Sequence, residues 1–457
     1  MTSEDRQRWQ ADAIIKGEGE KILVDWLKFR KDGSAKTVPG EITDGQSGDY
    51  IVLNDFSAFA IPDDRDKWIK KERPLLSVIT ARGCPHRCAF CFEGGNSKTL
   101  RMRKAEEVLF EIETRLKKSD GPRYLFFADD TFTTQPKRLK KILSGLKKLR
   151  ETYDFVWFCE GHPGFLAKYP ELIGQMIASG MVRMQIGMES GVPEVLDAYY
   201  KQARPADVKK VVEICFEEGL PQLTGNFIIG GAFETLETLE QTTKMALEML
   251  TNAPGMMDLS TTFIMPLPGT AVYKNPESFG ITLEDRECLT ANEDFPVNHT
   301  MALSLPEICW ERSRFITSIS NQMKEQYHKG LIPRDRIKND FSLAIRYGVS
   351  SAYFKFLYVK DEKWFNYFKK LTLFEGVLKE WHQLELKKLS GYYVQNVVKL
   401  AQMDIKTLSD DELDIIWSSR ALSIGELTKK LSWPEEKMKN CLKSLNKKGL
   451  ILFSTVA

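Results

Sequence analysis

Three of the eight cysteines fall within one short run, Cys84-Pro-His-Arg-Cys88-Ala-Phe-Cys91. Three thiolates in a C-x3-C-x2-C loop can hold three corners of a cubane iron–sulfur cluster and leave its fourth iron open to a ligand. A tetrahedral zinc site would need a fourth donor, and of the five histidines only His86 stands near. The other cysteines, Cys159, Cys215, Cys288, Cys309 and Cys441, are scattered. That usage points to a reducing compartment with a metal or redox site rather than a disulfide framework.

The loop directly follows a predicted strand. From Leu75 to Thr270, short β-rich runs alternate with helical stretches at roughly 30-residue intervals, the length of one βα unit. The strands are predicted at Leu75–Thr80, Tyr124–Asp129, Phe155–Glu160, Arg183–Glu189, Leu223–Ile229 and Leu259–Met265, each apolar enough to be covered on both faces. Helical spacing of apolar residues marks Ala105–Leu116, Pro136–Leu149, Pro170–Ser179, Ala206–Glu218 and Leu236–Leu250. Six such units predict an α/β fold, a partial (β/α)6 barrel whose ligands sit at the carboxyl ends of its strands.

Beyond Pro276 the pattern becomes helical and aromatic-rich. Near the end, Ser423 with Glu426 and Ser432 with Glu435 read as capping boxes opening helices Ile424–Leu431 and Trp433–Asn446, before Gly449 and an apolar strand Leu450–Phe453. Helix, turn, helix, strand outlines a winged helix. The chain divides into 1–70, an amino-terminal segment and linker; 71–275, the barrel; 276–405, a helical extension; and 406–457, the winged-helix-like domain.

Hydrophobic residues make up 42% of the 457 and charged residues 28%, a globular mix. With 65 Lys plus Arg against 63 Asp plus Glu, the net charge of +2 gives no general reason to expect nucleic acid. No apolar run reaches the roughly 20 residues of a membrane span, and the polar start lacks a signal peptide's apolar core, so a cytoplasmic protein is expected.

The cysteine loop resembles the signature of the radical S-adenosylmethionine (SAM) superfamily, and the likeness runs over roughly Ile14–Tyr273. It implies a 4Fe-4S cluster on Cys84, Cys88 and Cys91, with SAM chelating the open iron and giving a 5′-deoxyadenosyl radical that abstracts substrate hydrogen. It also implies an electron donor such as flavodoxin or ferredoxin. Phe90 resembles the residue that packs by the adenine. Met184-Gln-Ile-Gly-Met-Glu189-Ser190-Gly191 is similar to the strand-four motif, whose carboxylate approaches the methionine or ribose part of SAM. Gly225-Asn-Phe-Ile228-Ile-Gly230-Gly231 is similar to the strand-five element, whose glycines would let backbone approach the adenine. Phe127-Ala-Asp129-Asp130-Thr131-Phe132 and Pro266-Leu-Pro-Gly269-Thr270 resemble the ends of strands two and six.

Ala11-Asp-Ala-Ile-Ile-Lys-Gly17-Glu18-Gly19-Glu20 is similar to the tail of the cobalamin-binding domain in B12-type radical SAM enzymes. No histidine sits in a cobalt-ligating D-x-H-x-x-G pattern, so 1–70 reads as a remnant of that domain. A substrate radical then needs a hydrogen donor. Cys309, in a helix capped by Ser304 and Glu307, leads Cys159 and Cys288 for that role. Cys215 and Cys441 read as core residues. The combination resembles radical SAM peptide epimerases acting on proteusin-type precursors, which would turn L- into D-residues while the winged helix grips the precursor's leader by strand addition. The alternatives are cobalamin-type C-methylation, carbon–carbon bond formation on a peptide or small molecule, and tRNA modification, which Lys437, Lys439, Lys443, Lys447 and Lys448 would suit.

Overall fold

The computed structural model describes residues 75–93, 100–119, 121–284 and 296–361 continuously, and shorter stretches at 15–17, 23–24, 26–27, 43–45, 363–364, 393–396, 409, 411–412, 414–415, 423–447 and 451–454. Six strands form one parallel sheet: β1 (Leu75–Val78), β2 (Arg123–Phe127), β3 (Phe155–Gly161), β4 (Met181–Glu189), β5 (Gln222–Ile229) and β6 (Met257–Phe263). Their order is β6-β5-β4-β3-β2-β1, so every neighbour in sequence is a neighbour in space and β1 and β6 are the two edges. This is the expected partial barrel.

The helices between strands include α1 (Ala105–Lys117), α2 (Pro136–Leu149), α3 (Pro163–Lys168), α4 (Glu171–Ala178), α5 (Pro193–Ala198), α6 (Pro205–Glu217) and α7 (Leu236–Asn252). Strand periodicity separates the sheet's faces. Leu76, Val78, Leu125, Phe127, Trp157, Cys159, Met184, Ile186, Leu223 and Phe227 point outward into one apolar cluster with Val108, Ile112, Ile142, Leu172, Val211 and Cys215 of the helices. The alternate residues line the concave face.

Past the barrel, a ribbon of Ile281–Leu283 with Asn298–Thr300 leads into α8 (Leu305–His328), α9 (Arg334–Tyr347) and α10 (Ala352–Phe356). Near the carboxyl end, Ile424–Leu431 and Glu435–Lys447 are helices, and Ile451–Ser454 pairs antiparallel with Tyr393–Asn396. The Ser423–Glu426 capping box forms as predicted. The second does not: Ser432 takes a left-handed conformation (φ 50°) that ends the first helix, and the second starts at Glu435. The strand's partner comes from residues before 406, so this element's sheet draws on the segment assigned to the helical extension.

The chain divides into two compact units, Met1–Ala60 and Ile61–Ala457. In the first, Ile15–Gly17 pairs in parallel with Thr43–Gly45; most of the cobalamin-domain-like stretch Ala11–Glu20 and of 1–70 lies outside the described residues. Among the described residues no helix is long and apolar enough to cross a membrane.

Candidate functional site

The cysteine loop leaves β1 and crosses the mouth of the barrel. Gly83 turns the chain with φ 81°, and its N–H donates to Asp130 Oδ2 at 3.1 Å. Asp129, beside it, accepts from the Thr80 N–H at 2.5 Å and from the Thr80 hydroxyl, which ties the ends of β1 and β2 together. Burial pushes its carboxyl up to about 6 against the pull of the Thr80 bonds. Both Asp129 oxygens are thus engaged with Thr80, and the aspartate that steadies the cysteine loop is its neighbour. Ala89 donates to the Tyr199 carbonyl (2.9 Å) and accepts from the Val272 N–H (3.2 Å).

Cys84, Cys88 and Cys91 are all free thiols, Cys88 buried and the others half-buried. Burial pushes Cys88 up to about 11, with a nearby Lys201 pulling the other way. Lys201 Nζ lies 2.7 Å from Glu189 Oε1, each side chain 8% exposed. Burial opposes its charge, yet Glu189 and the Cys88 and Cys91 thiols outweigh that and hold it above its ordinary value. An ammonium here favours thiolates, the form that binds metal. Glu189 is reached through a bulge against β5 and sits at φ 60°; Tyr200 and Phe233, near the same end of the sheet, are also left-handed at 55° and 52°. Such backbone costs of order 1–3 kcal/mol each and concentrates at functional sites.

The other predicted residues are distributed as follows. Phe90 packs edge-on to Tyr199, centroids 5.0 Å apart, beside a cluster containing Ile228. Ser190 Oγ faces Thr242 Oγ1 of α7 at 3.2 Å. Gly225 and Gly230 each face packed protein on the side where a Cβ would stand. A Cβ on Gly225 would stand 2.5 Å from Met188 Cε on the outward face, and one on Gly230 2.9 Å from Ile308. Cys159 is corrected: its odd register turns it outward, fully buried beside Trp157 and Met184, not into the cavity. Cys309 packs half-buried against Ile229, Phe263 and Ile308, also on the outward side. Cys215 is core, as expected. Cys288 lies outside the described residues.

The concave face is ordered in rows by strand register. Phe126 and Phe158 stack at 4.8 Å. Toward the carboxyl ends, Gln185 Nε2 donates to Glu160 Oε1 at 3.3 Å, and Ser260 Oγ to Asn226 Oδ1 at 2.6 Å. An aromatic floor beneath a polar belt can seat a substrate that is apolar on one side and hydrogen-bonding on the other.

Sequence reasoning missed Tyr199, Lys201 and His162, and took Asp129 rather than its neighbour Asp130 from the strand-two motif. The Tyr199 hydroxyl accepts from Ala232 (3.1 Å) while its carbonyl holds the cysteine loop, and a side chain on Gly231 would collide with it. Glu234 accepts from the Gly230 (2.5 Å) and Gly231 (3.0 Å) N–H groups. No periodicity marks these positions, because each acts through a loop.

Residues 78–246 match the model of the radical SAM superfamily. This barrel is a radical SAM domain. The chain is 28% identical over 280 residues to an uncharacterized methyltransferase of Pyrococcus horikoshii, covering 58% of this chain and 57% of that one. It is 28% identical over 255 residues to an anaerobic magnesium-protoporphyrin IX monomethyl ester cyclase of Cereibacter sphaeroides (51% and 40% covered), and 26% over 195 residues to a tryptophan 2-C-methyltransferase of Streptomyces laurentii (39% and 31%). The chain spans about half the length of the curated relatives it matches. Among solved structures, the cobalamin-dependent radical enzyme OxsB is similar at TM-score 0.42 and 13% identity (82% of this chain, 58% of that), and a radical SAM methyltransferase from Kitasatospora setae at 0.40 and 16% (54% and 52%).

The radical SAM domain implies a 4Fe-4S cluster and SAM, and the residues present fit. The three thiols sense one another's charge, the Lys201 ammonium stands by, and His162 buries two ring nitrogens without partners next to the loop. Cys84, Cys88 and Cys91 would hold the cluster, which with SAM would supply a radical able to abstract hydrogen. The protein's part is to fix the cysteine loop through Asp130, Tyr199 and Val272 and to place the Lys201 charge beside it.

Proposed function

We propose that this radical SAM enzyme abstracts a hydrogen from a substrate carbon seated on the concave face and ends in a new carbon–carbon bond, C-methylation being the leading form. The observation that carries this reading is the placement of the thiols. Epimerisation needs a hydrogen donor on the opposite side of the carbon, and among the described cysteines of the barrel and the helix after it Cys159, Cys215 and Cys309 are turned outward, Cys288 lying outside the described residues. The relatives' names agree in kind: methyltransferases and a cyclase, not epimerases. A precursor peptide gripped through the Tyr393–Asn396 and Ile451–Ser454 ribbon belongs to the same proposal as one substrate class, the ribbon supplying an edge for strand addition.

Reconstituted protein, SAM, a strong reductant and, in parallel, added cobalamin should be incubated with candidate peptides and small aromatic substrates, the reaction run in D2O. Methylation adds a methylene's mass and ring or bond closure removes two hydrogens. Epimerisation adds only one deuterium per inverted carbon. A product of the last kind would reverse the proposal and restore a thiol donor, Cys288 first.

A further inference from the structure

His162 follows β3 directly, its N–H held by Thr133 Oγ1 at 2.8 Å. The ring lies flat on His86 of the cysteine loop, centroids 3.7 Å apart and planes 12° from parallel. The residue is 5% exposed, and neither Nδ1 nor Nε2 has a hydrogen-bond partner. His86, by contrast, is paired: its Nδ1 lies 3.1 Å from Gln202 Oε1, and because an amide oxygen only accepts, the N–H is on that nitrogen.

A buried ring without hydrogen bonds stays neutral. Burial, reinforced by the charge of Lys201 and by His86, pulls His162 down to about 2. It therefore carries one N–H donor and one bare nitrogen. Leaving a buried donor or acceptor unpaired costs about 1–3 kcal/mol, and a phenylalanine would fill the same slot and stack on His86 without that cost. An orphaned donor kept in such a place calls for a partner that arrives later. The loop it stacks on carries the three cluster cysteines.

We propose that the His162 ring N–H donates to a sulfur of the cluster held by Cys84, Cys88 and Cys91. An N–H···S bond stabilises the more electron-rich reduced cluster and so raises its potential, while the stack fixes His86 and the loop around it. This rests on the radical SAM domain loading its cluster, not on which bond the enzyme goes on to make.

The test compares wild type, His162→Phe and His162→Gln as full-length protein, with and without reconstituted cluster. Phenylalanine keeps the stack and drops both nitrogens, whereas glutamine returns an N–H. Without cluster, His162→Phe should melt no lower than wild type, because two orphaned nitrogens are gone. With cluster and no SAM, a redox titration followed by electron paramagnetic resonance should give His162→Phe a more negative midpoint than wild type and His162→Gln an intermediate one. Iron loss to a chelator should be about tenfold faster in His162→Phe. The proposal is overturned if all three midpoints agree, if they differ only when SAM is present, or if His162→Phe without cluster melts well below wild type. A wild type that assembles no cluster would instead sink the reading of the site itself.

Discussion

Lys201 Nζ and Glu189 Oε1 meet at 2.7 Å across the eleven residues that separate them, and the space for that contact is the missing side chain of Gly187. Removing one partner of a pair this buried leaves the other charge uncompensated and costs about 3–5 kcal/mol. Lys201→Met should lose that much in denaturant unfolding. Lys201→Met combined with Glu189→Gln should recover most of the stability but not the cluster, since the thiolates would still lack their cation. Iron content measured beside the unfolding curves separates the two effects.

Gly187→Ala should injure the same pair from the other side. A Cβ there collides with Glu189 Oε1 and stands 2.7 Å from Lys201 Nζ. A loss of about 1–3 kcal/mol is expected for overpacking at a tight site, together with weakened iron binding. Stability unchanged in thermal melts would show that the pair can shift aside freely.

Replacing Cys84, Cys88 and Cys91 by Ala should abolish iron binding and reductive cleavage of SAM under anaerobic conditions while leaving the sheet intact, because the loop's anchors at Ala89 are main-chain bonds. The readouts are the visible spectrum, 5′-deoxyadenosine by chromatography and far-ultraviolet circular dichroism. Cleavage that survives in the triple variant would refute the site.

Glu234 gives a pH test. Burial pushes its carboxyl up to about 7 from 4.5, opposed by the Gly231 and Gly230 N–H bonds. Between those values the native state holds a proton that the unfolded chain has released. The stabilising contribution is therefore full below about pH 4.5 and lost as pH rises through about 7. Tyr199, which feels the charge of Glu234, is itself held protonated by burial. Glu234→Gln mimics the protonated form, so its melting temperature relative to wild type should climb between pH 5 and pH 8. A flat difference would mean that the carboxyl stays protonated or ionised throughout.

The barrel was legible because six βα units repeat both of their periodicities, and all six strands fall within about two residues of their predicted bounds at each end. The candidate cluster ligands could be named from the C-x3-C-x2-C spacing alone. Cys159 misled because its position at a strand end says nothing of register, and one residue of parity decides between cavity and core. Ser432 misled because a serine followed by Glu435 also suits a left-handed helix stop. Lys201 and His162 were invisible because their meaning depends on residues far along the chain, Glu189 and Cys88 for one and His86 for the other.

A closed barrel of this kind has eight strands, and here β1 and β6 are left as free edges of six. The segment after β1 reaches the start of the helix after β6 through the Val272 N–H and the Ala89 carbonyl. The cysteine loop is thus a clasp across the gap where two strands would stand. The spacing of β1 from the segment after β6 is tied to the fold of the cysteine loop by a main-chain bond.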